Sequence, residues 1–257
     1  MFSFFKKDRK EKSVTKEYQT DYHNVVSILN YFHAQTGVTF ENKESILKNK
    51  VTSFCRMRDI HSFDDLLKDI KVQQSLKQEL IDHLTTNETY FYREIKQINQ
   101  LVQIIKKEDR CVEILCAPSS TGEEAYTIAI ALLEAGIASS SFRILGIDIN
   151  AQATQRAVEG KYKERNLRNL SSSVMEKYFT KENDRYYLDK SVKALVRFEV
   201  HNIFDATFKS LGRFDFIFSR NMLIYFDKET KLKAKGILES MRKNRQYEVF
   251  FGHADLF

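Results

Sequence analysis

The chain has 257 residues, with 42% apolar residues, 30% charged residues and a formal net charge of +6. This length suggests one or two domains with a sizeable core, and the balance of residues is that of a soluble globular protein. Stable membrane insertion is not expected, because no apolar run approaches the roughly 20 residues of a bilayer span. A secretory signal is not expected either, because no continuous apolar segment follows the N-terminal charges.

The three cysteines are Cys55, Cys111 and Cys116, and their spacing fits no metal site, so none is predicted. Cys111 and Cys116 fall in one apolar run and are expected to be reduced, mostly buried thiols. Together with the missing secretory signal, this indicates a cytoplasmic protein. The mild positive charge fits an acidic protein surface, nucleic acid or an anionic membrane face, and equally a solvated surface with no specific partner.

The first third of the chain is predicted to be helical. Residues 1–14 form a basic tail that is expected to be disordered, and residues 15–85 show apolar side chains at helical spacing with few strand signals. Four helices are predicted, on Val25, Ile28, Leu29 and Phe32; on Ile46, Val51, Phe54 and Met57; on Phe63, Leu66, Leu67 and Ile70; and on Leu76, Leu80, Ile81 and Leu84. Gly37 suits the end of the first helix. We therefore predict a small all-α domain at 15–85.

After Lys107 the pattern changes to alternating strands and helices. A short apolar run at 111–116 ends in the turn 117–122, a helix follows from Glu123, and a second apolar strand at 142–148 ends in Asp148. Such a unit begins a doubly wound nucleotide-binding sheet. Another helix is predicted near Ala151, and further strands at 214–218 and 248–251. Residues 185–188 and 195–199 are predicted as short strands, the first in a small inserted hairpin.

The turn 117–122 predicts a nucleoside cofactor without phosphates. It has one glycine, not the three of a dinucleotide fingerprint, and lacks the Lys-Ser/Thr pair of a phosphate loop. Glu123 and Glu124 at the helix start would repel a pyrophosphate and suit a cationic amine such as that of S-adenosylmethionine, or they only complement the helix dipole. Asp148 is placed either to accept hydrogen bonds from ribose hydroxyls or to cap the next helix. Turn and acid together favour the nucleoside cofactor.

Four segments, in order, resemble motifs of the chemotaxis receptor glutamate methyltransferases, the CheR family. They are Thr86–Glu94, similar to TNET-x-FFRE; Ser119–Ile128, similar to STGEEPYSI; Ser219–Asp227, similar to CRNVLIYFD; and Phe251–Asp255, similar to GHSE. The resemblance implies an α/β fold, in which a Rossmann-like methyltransferase domain at 86–257 carries a small β-subdomain inserted at about 176–197. Two departures are Ala125 and Thr127 in place of proline and serine. The sequence also ends at Phe257, where family members usually continue into a closing pair of strands, and residues 242–247 lack a Pro-x-Gly turn, so either a short sheet or an incomplete chain is expected.

The resemblance also implies the site residues. The implied cofactor contacts are Asn87, Thr89, Arg93, Glu124, Asp148, Asn202, Ile203, Arg220 and Asn221. Arg93 and Tyr225 are expected near the transferred methyl group and are the predicted catalytic residues. The expected reaction converts receptor glutamates to methyl esters, with S-adenosylhomocysteine as the second product. No general base is required, because a glutamate with a pKa of about 4.3 is already ionised at pH 7.

The predicted partners are the cytoplasmic methylation helices of chemotaxis receptors. Basic side chains at Lys48, Lys50, Arg56 and Arg58 are predicted to dock these acidic helices, although an ordinary solvated helix face has the same composition. Some family members hold a receptor's C-terminal peptide on the β-subdomain. A tether of this kind is not expected here, because the hairpin region 179–191 has no glycine for a tight turn, although Asn183-Asp184 could form some such turn.

Two other functions stay open at this point. One is a methyltransferase acting on nucleic acid or a small molecule, although Ser219–Met222 replaces the Asp/Asn-Pro-Pro-aromatic loop typical of enzymes that methylate amines. Nucleic acid is therefore not the expected partner. The other is a non-catalytic module that senses the cofactor and binds receptors.

Overall fold

The N-terminal helices form a layer with its own core. The computed structural model describes residues 20–40 and 43–255, and the basic tail expected at 1–14 lies outside this range. Four helices, α1 (Val26–Thr36), α2 (Glu44–Arg56), α3 (Phe63–Val72) and α4 (Gln74–Leu84), follow one another. Their shared core includes Phe32, Val51, Phe54, Leu66 and Leu80. The four helices predicted from apolar spacing are thus present in the described residues.

Two details of this helical region differ from the predicted pattern. Ile46 and Met57 are 57% and 62% exposed, and Leu47 takes the core position instead. Gly37, as predicted, ends α1 in the left-handed region at φ 72°. It also lies so close to Phe204 that an added Cβ would meet that ring at 2.5 Å, which excludes a larger side chain.

A fifth helix, α5 (Ile95–Ile105), precedes the sheet and was not predicted as a separate element. Ile98, Leu101, Val102 and Ile105 form its buried stripe, which packs in the core of the sheet domain. Because its buried residues pack in that core, α5 belongs to the sheet domain and does not continue the helical region.

The sheet domain alternates strands and helices. It comprises β1 (Val112–Cys116), α6 (Glu123–Glu134), β2 (Phe142–Asp148), α7 (Ala151–Glu159), β3 (Lys161–Tyr162), α8 (Ser172–Tyr178), β4 (Phe179–Glu182), β5 (Arg185–Leu188), α9 (Lys190–Lys193), β6 (Val196–Val200), β7 (Phe216–Ser219), α10 (Lys228–Ser240) and β8 (Phe250–Phe251). The main sheet has the order β6-β2-β1-β7-β8, and all its pairs are parallel. The strand order reverses between β1 and β7, which is where ligands bind in open α/β sheets.

The second, three-stranded sheet has the order β3-β5-β4 and is antiparallel. This sheet begins at Lys161, whereas the inserted subdomain was expected to start near 176. The sequence did not indicate β3, because a strand of two residues is too short to show an alternating pattern. Residues 196 and 197, expected in the insertion, belong to β6 and pair with β2. The β4–β5 turn closes without glycine, because Asn183 adopts the left-handed conformation at φ 54°.

Three further observations concern expected properties of the chain. Cys116 is buried as expected, but Cys111 is exposed, because it precedes β1 and lies outside the strand. Among the described residues, no helix is long and apolar enough to cross a bilayer. In the same part of the chain, no group of His, Cys, Asp and Glu side chains is arranged to hold a metal ion.

Candidate active site

A cavity of about 360 Å³ opens at the carboxyl ends of β1, β2 and β7. Its walls come from three parts of the chain: the segment 36–40 at the end of α1, the segment 84–93, and the loops that follow the strands. All the residues predicted to bind the cofactor or to act in catalysis line it: Asn87, Thr89, Arg93, Glu124, Asp148, Asn202, Ile203, Arg220, Asn221 and Tyr225. Residues far apart in sequence therefore meet in one place.

Asp148 ends β2 and is 5% exposed. One carboxylate oxygen accepts the Ser120 N–H and the other accepts the Asn150 N–H, each at 2.8 Å. Burial raises the pKa of Asp148 to about 6, against the lowering effect of these two bonds. A carboxylate can accept about four hydrogen bonds, so Asp148 fixes the turn before α6 and the start of α7 and keeps capacity for hydroxyl groups of a ligand.

The two acids at the start of α6 have separate environments, because adjacent helical residues point about 100° apart. Glu123 is fully buried behind the cavity wall. It accepts hydrogen bonds from the Thr121 hydroxyl at 2.6 Å and the Asn166 amide at 2.9 Å. Burial raises its pKa to about 7. Of the two acids, only Glu124 lines the cavity, so only Glu124 is placed to contact a ligand there.

Glu124 lines the cavity and forms a buried ion pair with Arg220. Arg220 also donates to the Arg93 carbonyl at 2.8 Å. Burial alone would lower the pKa of Arg220, but the charge of Glu124 outweighs this and raises it. Burial raises the pKa of Glu124, and Arg220 opposes that shift. The pair thus ties α6 to the end of β7 across the cavity floor.

The unpartnered polar atoms test whether S-adenosylmethionine fits this cavity. Within the described residues, five buried side-chain oxygens lack a hydrogen-bond partner, and three of them belong to cavity residues: Glu124 Oε1, Ser119 Oγ and Ser120 Oγ. Buried polar atoms without partners are costly and indicate a missing ligand or water. A carboxylate oxygen beside two hydroxyls suits an ammonium group, and Asp148 suits ribose. The residues present fit the cofactor.

Residues 86–94, called the site arm below, carry three of the predicted site residues. Tyr92 and Glu94 have positive φ angles of 58° and 49°, an unfavourable conformation for non-glycine residues. Two neighbours hold the arm in place. The Thr127 hydroxyl accepts the Tyr92 N–H at 3.1 Å, and the Asn166 carbonyl accepts the Phe91 N–H at 2.9 Å. Neither Asn166 nor Thr127 was predicted to contribute to the site.

Arg93 and Tyr225 face each other across the cavity. The Arg93 side chain is 27% exposed, and its Nε lies 4.0 Å from a Glu94 carboxylate oxygen. Burial raises the pKa of the Tyr225 phenol, and the positive charge of Arg93 opposes this shift, which places the two groups within electrostatic reach of each other. The cavity therefore contains a cation and a phenol hydroxyl that influence each other electrostatically.

The loop after β7 is fixed by a residue that the sequence analysis noted only as part of a motif. Asp255 is 1% exposed and accepts the N–H groups of Asn221 at 2.5 Å, Leu223 at 2.9 Å and Gly252 at 3.1 Å. Asn221 adopts a positive φ of 61°. Asp255 thus holds the turn that presents Asn221 and Tyr225 to the cavity.

The helical region closes one side of the cavity through Thr36, Val38 and Phe40. The Thr39 N–H donates to the Tyr225 carbonyl at 2.7 Å. Asn202 donates its side-chain amide to the Gln35 carbonyl at 2.6 Å and accepts the Phe204 N–H at 3.0 Å. The polar atoms of Asn202 therefore join α1 to the loop after β6, and Ile203 supplies an apolar surface beside it.

Two further contacts across this boundary were not predicted. His33 of α1 lies 2.9 Å from the Asp227 carboxylate, which also caps α10. Asp82 of α4 accepts the Ala151 N–H at 2.8 Å at the start of α7. Both acids serve as helix caps for the sheet domain, so the helical region and the cofactor loops share their supports.

The four predicted docking residues do not share one face of α2. Lys48 and Lys50 are two positions apart, about 200° around a helix, and lie on opposite flanks of it. Arg58 is held in place, because it pairs with Glu79 at 2.6 Å and stacks on the Phe54 ring at 3.8 Å. Arg56 is exposed and lies 5.9 Å from the Tyr22 ring. Only Arg56 among the four is a fully exposed cation.

Comparison with known proteins gives consistent matches over most of the chain. The family model described as "CheR methyltransferase, SAM binding domain" matches residues 87–257. A chemotaxis protein methyltransferase of Campylobacter jejuni is 36% identical over 249 residues, covering 96% of this chain and 92% of the relative. Chemotaxis protein methyltransferase 2 of Vibrio cholerae is 32% identical over 240 residues, covering 88% and 82%. A solved methyltransferase domain, that of bacterial-CtHen1-CN, aligns with 58% of this chain and 62% of that chain at 13% identity and a TM-score of 0.36.

Proposed function

Because the chain belongs to the CheR family of methyltransferases, whose model describes a domain that binds S-adenosylmethionine, we propose that it methylates glutamate side chains of chemotaxis receptors. The products are glutamate γ-methyl esters and S-adenosylhomocysteine. The substrate glutamates are those of cytoplasmic methylation helices, so the proposal puts the enzyme in the cytoplasm.

The observation that carries the proposal is the composition of the cavity. At one end, Asp148 and the unpartnered oxygen of Glu124 suit a ribose and an amino group. At the other, Arg93 and Tyr225 surround space for the substrate. The two arginines of the cavity differ in how strongly they are already paired. Arg93 has only a distant partner, since its Nε lies 4.0 Å from a Glu94 carboxylate oxygen, whereas Arg220 forms a buried ion pair with Glu124. Arg93 is therefore the cation that favours a carboxylate substrate.

S-adenosylmethionine, when bound, supplies an electrophilic methyl group. The protein side of the reaction then requires alignment and exclusion of water, because the substrate carboxylate is ionised at neutral pH and needs no base to activate it. We assign Arg93 the role of orienting the carboxylate, and Tyr225 the role of a hydrogen-bond donor to the reacting groups. Burial, which raises the pKa of Tyr225, keeps its hydroxyl protonated for donation.

Cofactor contacts are assigned to the nine lining residues named above. Asp148 is assigned to the ribose hydroxyls, Glu124 to the amino group, and Ile203 to the adenine face. Asn87, Thr89, Arg93, Arg220 and Asn221 complete the pocket, and Asn202 acts through its position between α1 and the loop. Receptor docking is assigned to the helical region, with Arg56 as its most accessible cation.

The test is an incubation with labelled S-adenosylmethionine and a receptor cytoplasmic fragment, followed by treatment with base. The proposal expects label that base releases as methanol, because esters hydrolyse and N-methyl groups do not. Base-stable label, or label on nucleic acid or a small molecule, would support the other methyltransferase function. Cofactor binding without any transfer would support the non-catalytic sensing module, and either result would contradict the proposal.

A further inference from the structure

Tyr90 forms a cationic stack at the rim of the cavity. Its ring lies among the lining residues, and the Arg168 guanidinium carbon is 3.5 Å from the ring centroid. Arg93 lies 5.6 Å from the same centroid. Two cations therefore share one aromatic side chain, and Arg93 lies inside the cavity. Arg168 is not among the described residues that line the cavity, and it is exposed, so its guanidinium lies outside the cavity.

Arg168 is held by a well-supported turn. Its side chain donates to the Arg165 carbonyl at 2.8 Å, and the preceding Leu167 is 1% exposed in the core. Asn166 binds the site arm on both sides of Tyr90, through the Phe91 N–H at 2.9 Å and the Thr89 carbonyl at 3.2 Å. The stack is thus built on a rigid connection between this turn and the arm that carries Arg93.

Apart from the N–H group that is bonded to the Arg165 carbonyl, the donors of Arg168 are available for a ligand. Within residues 20–40 and 43–255, no carboxylate lies within ion-pair distance of its guanidinium, although Arg168 is exposed. Stacking on an aromatic ring uses the face of a guanidinium and leaves its N–H edges free to bind a carboxylate. By contrast, no aromatic ring of residues 20–40 or 43–255 stacks on the guanidinium of Arg165, which is exposed in the same turn.

We propose that Arg168 forms a subsite outside the cavity for a second carboxylate of the substrate, on an acidic residue that flanks the reacting glutamate in the same helix. This inference rests on the proposed function and deepens it. The reacting side chain enters past Tyr90 to Arg93, and the Arg168 guanidinium, outside the cavity, pairs with the neighbouring acid. The enzyme thereby prefers glutamates in acidic surroundings.

The experiment compares Arg168→Gln, Arg168→Lys and the matched control Arg165→Gln on a receptor cytoplasmic fragment. Arg168→Gln should lower kcat/KM about fivefold, mainly through a higher KM, which is the order expected for one partly exposed charge-assisted contact. Arg168→Lys should keep part of the effect, because it keeps the charge and loses the planar fork. Arg165→Gln and the cofactor affinity of all three variants should be unchanged.

A double-mutant cycle separates a subsite from a merely structural role. Each acidic residue flanking the reacting glutamate is changed to glutamine, and each substrate is tested with wild-type enzyme and with Arg168→Gln. For one substrate the two changes should be non-additive, because they remove the same contact. Additive losses for every substrate, or an unchanged KM, would overturn the subsite.

Failure of the subsite can be told apart from failure of the proposed function. Binding of the receptor fragment is measured by calorimetry alongside methylation. A fragment that binds wild type but receives no base-labile methyl group would refute the function, and the same binding cycle would then decide on the subsite. A fragment that is methylated equally by wild type and Arg168→Gln would refute the subsite alone. A fragment that neither binds nor is methylated would refute both.

Discussion

At the scale of single residues, the fully buried Glu123 predicts a pH dependence of stability. Its folded pKa of about 7 exceeds the ordinary value of 4.5 because of burial, so the folded state holds this proton over a pH range in which the unfolded state has lost it. The free energy of unfolding therefore falls as pH rises from about 4.5 to 7, by up to about 3 kcal/mol from this group. Above pH 7 its contribution is constant.

Glu123→Gln should remove this decline and leave the fold intact. The glutamine oxygen can accept the Asn166 amide, and its N–H₂ can donate to the Thr121 hydroxyl, so neither polar contact is lost. Urea unfolding of wild type and Glu123→Gln at pH 5 and pH 8 measures the effect. Equal changes in the free energy of unfolding of both proteins between these pH values would refute the assignment.

Asp148→Ala is expected to weaken cofactor binding on the order of 2–4 kcal/mol, because ribose hydroxyls would lose a charged acceptor. The variant also loses the acceptors for the Ser120 and Asn150 N–H groups, so part of the effect comes from a loosened turn. Asp148→Asn keeps the shape and helps to separate the two causes. Calorimetric titration with S-adenosylmethionine measures both variants, and an unchanged Kd in both would exclude Asp148 from the ribose site.

Tyr225→Phe should lower turnover more than it weakens cofactor binding. The change removes one hydroxyl and keeps the ring, and the backbone carbonyl of Tyr225 still accepts the Thr39 N–H. The walls of the cavity should therefore stay in place. Steady-state methylation of the receptor fragment gives kcat, and titration gives the cofactor Kd. Wild-type turnover in the variant would remove the hydroxyl from the mechanism.

At the scale of elements, Arg56 at the end of α2 and Arg58 just after it have different roles. Charge reversal at the exposed Arg56 should impair receptor methylation, leave cofactor affinity intact, and matter less as salt rises, because screening weakens electrostatic steering. The same change at Arg58 should also destabilise the fold, since Arg58 pairs with Glu79 and stacks on Phe54. Their contacts therefore separate Arg56, a candidate docking residue, from Arg58, which also supports the fold.

Methylation rates at low and high salt test the Arg56 prediction. The matched control is Lys107→Glu, an exposed charge that precedes β1 and so lies at the opposite end of the sheet from the cavity. The control should methylate at the wild-type rate. A loss of rate as large in Lys107→Glu as in Arg56→Glu would show a general charge effect and not a docking face.

The elements show how far the sequence alone could lead. Long periodic segments such as α1 to α4, and the unit from β1 through α6 to β2, were predictable because each carries several apolar residues at one spacing. The two-residue strand β3 was not, since a pattern needs more residues than it has. The roles of Glu123 and Glu124 stayed open between a ligand amine and the helix dipole, because sequence gives adjacency along the chain, whereas orientation around α6 decides which acid faces the cavity.

At the scale of the whole molecule, residues that line the cavity could be named from the sequence where a motif carried them, whereas the residues that hold the loops in place could not. Asp82 and Asn166 each hold a site segment from another part of the chain, and neither lies in one of the four motifs. No local pattern distinguishes such a residue from an ordinary helix cap or surface acid. Contacts between distant segments arise only when the chain is folded, so the sequence could name the site and not its scaffold.

Receptor recognition also belongs to the whole molecule, and we keep the prediction that no C-terminal peptide tether is needed. Its original reason is weakened, because Asn183 supplies the positive φ that glycine was expected to provide. Methylation of a receptor fragment with and without its last residues is the measurement, and equal rates are expected. A large fall in rate on truncation, with measurable binding of the isolated peptide, would show that a tether operates through the small sheet.

The wall that Thr36, Val38 and Phe40 contribute to the cavity has a consequence for inhibitor design. The pocket for a nucleoside lies on a sheet that many unrelated enzymes share, so compounds confined to it gain little selectivity. The opposite wall comes from the helical region, outside that shared sheet. A compound that contacts both walls would bind to two parts of the chain at once. Selective inhibition of this enzyme is therefore best sought by extending ligands from the ribose site toward Phe40.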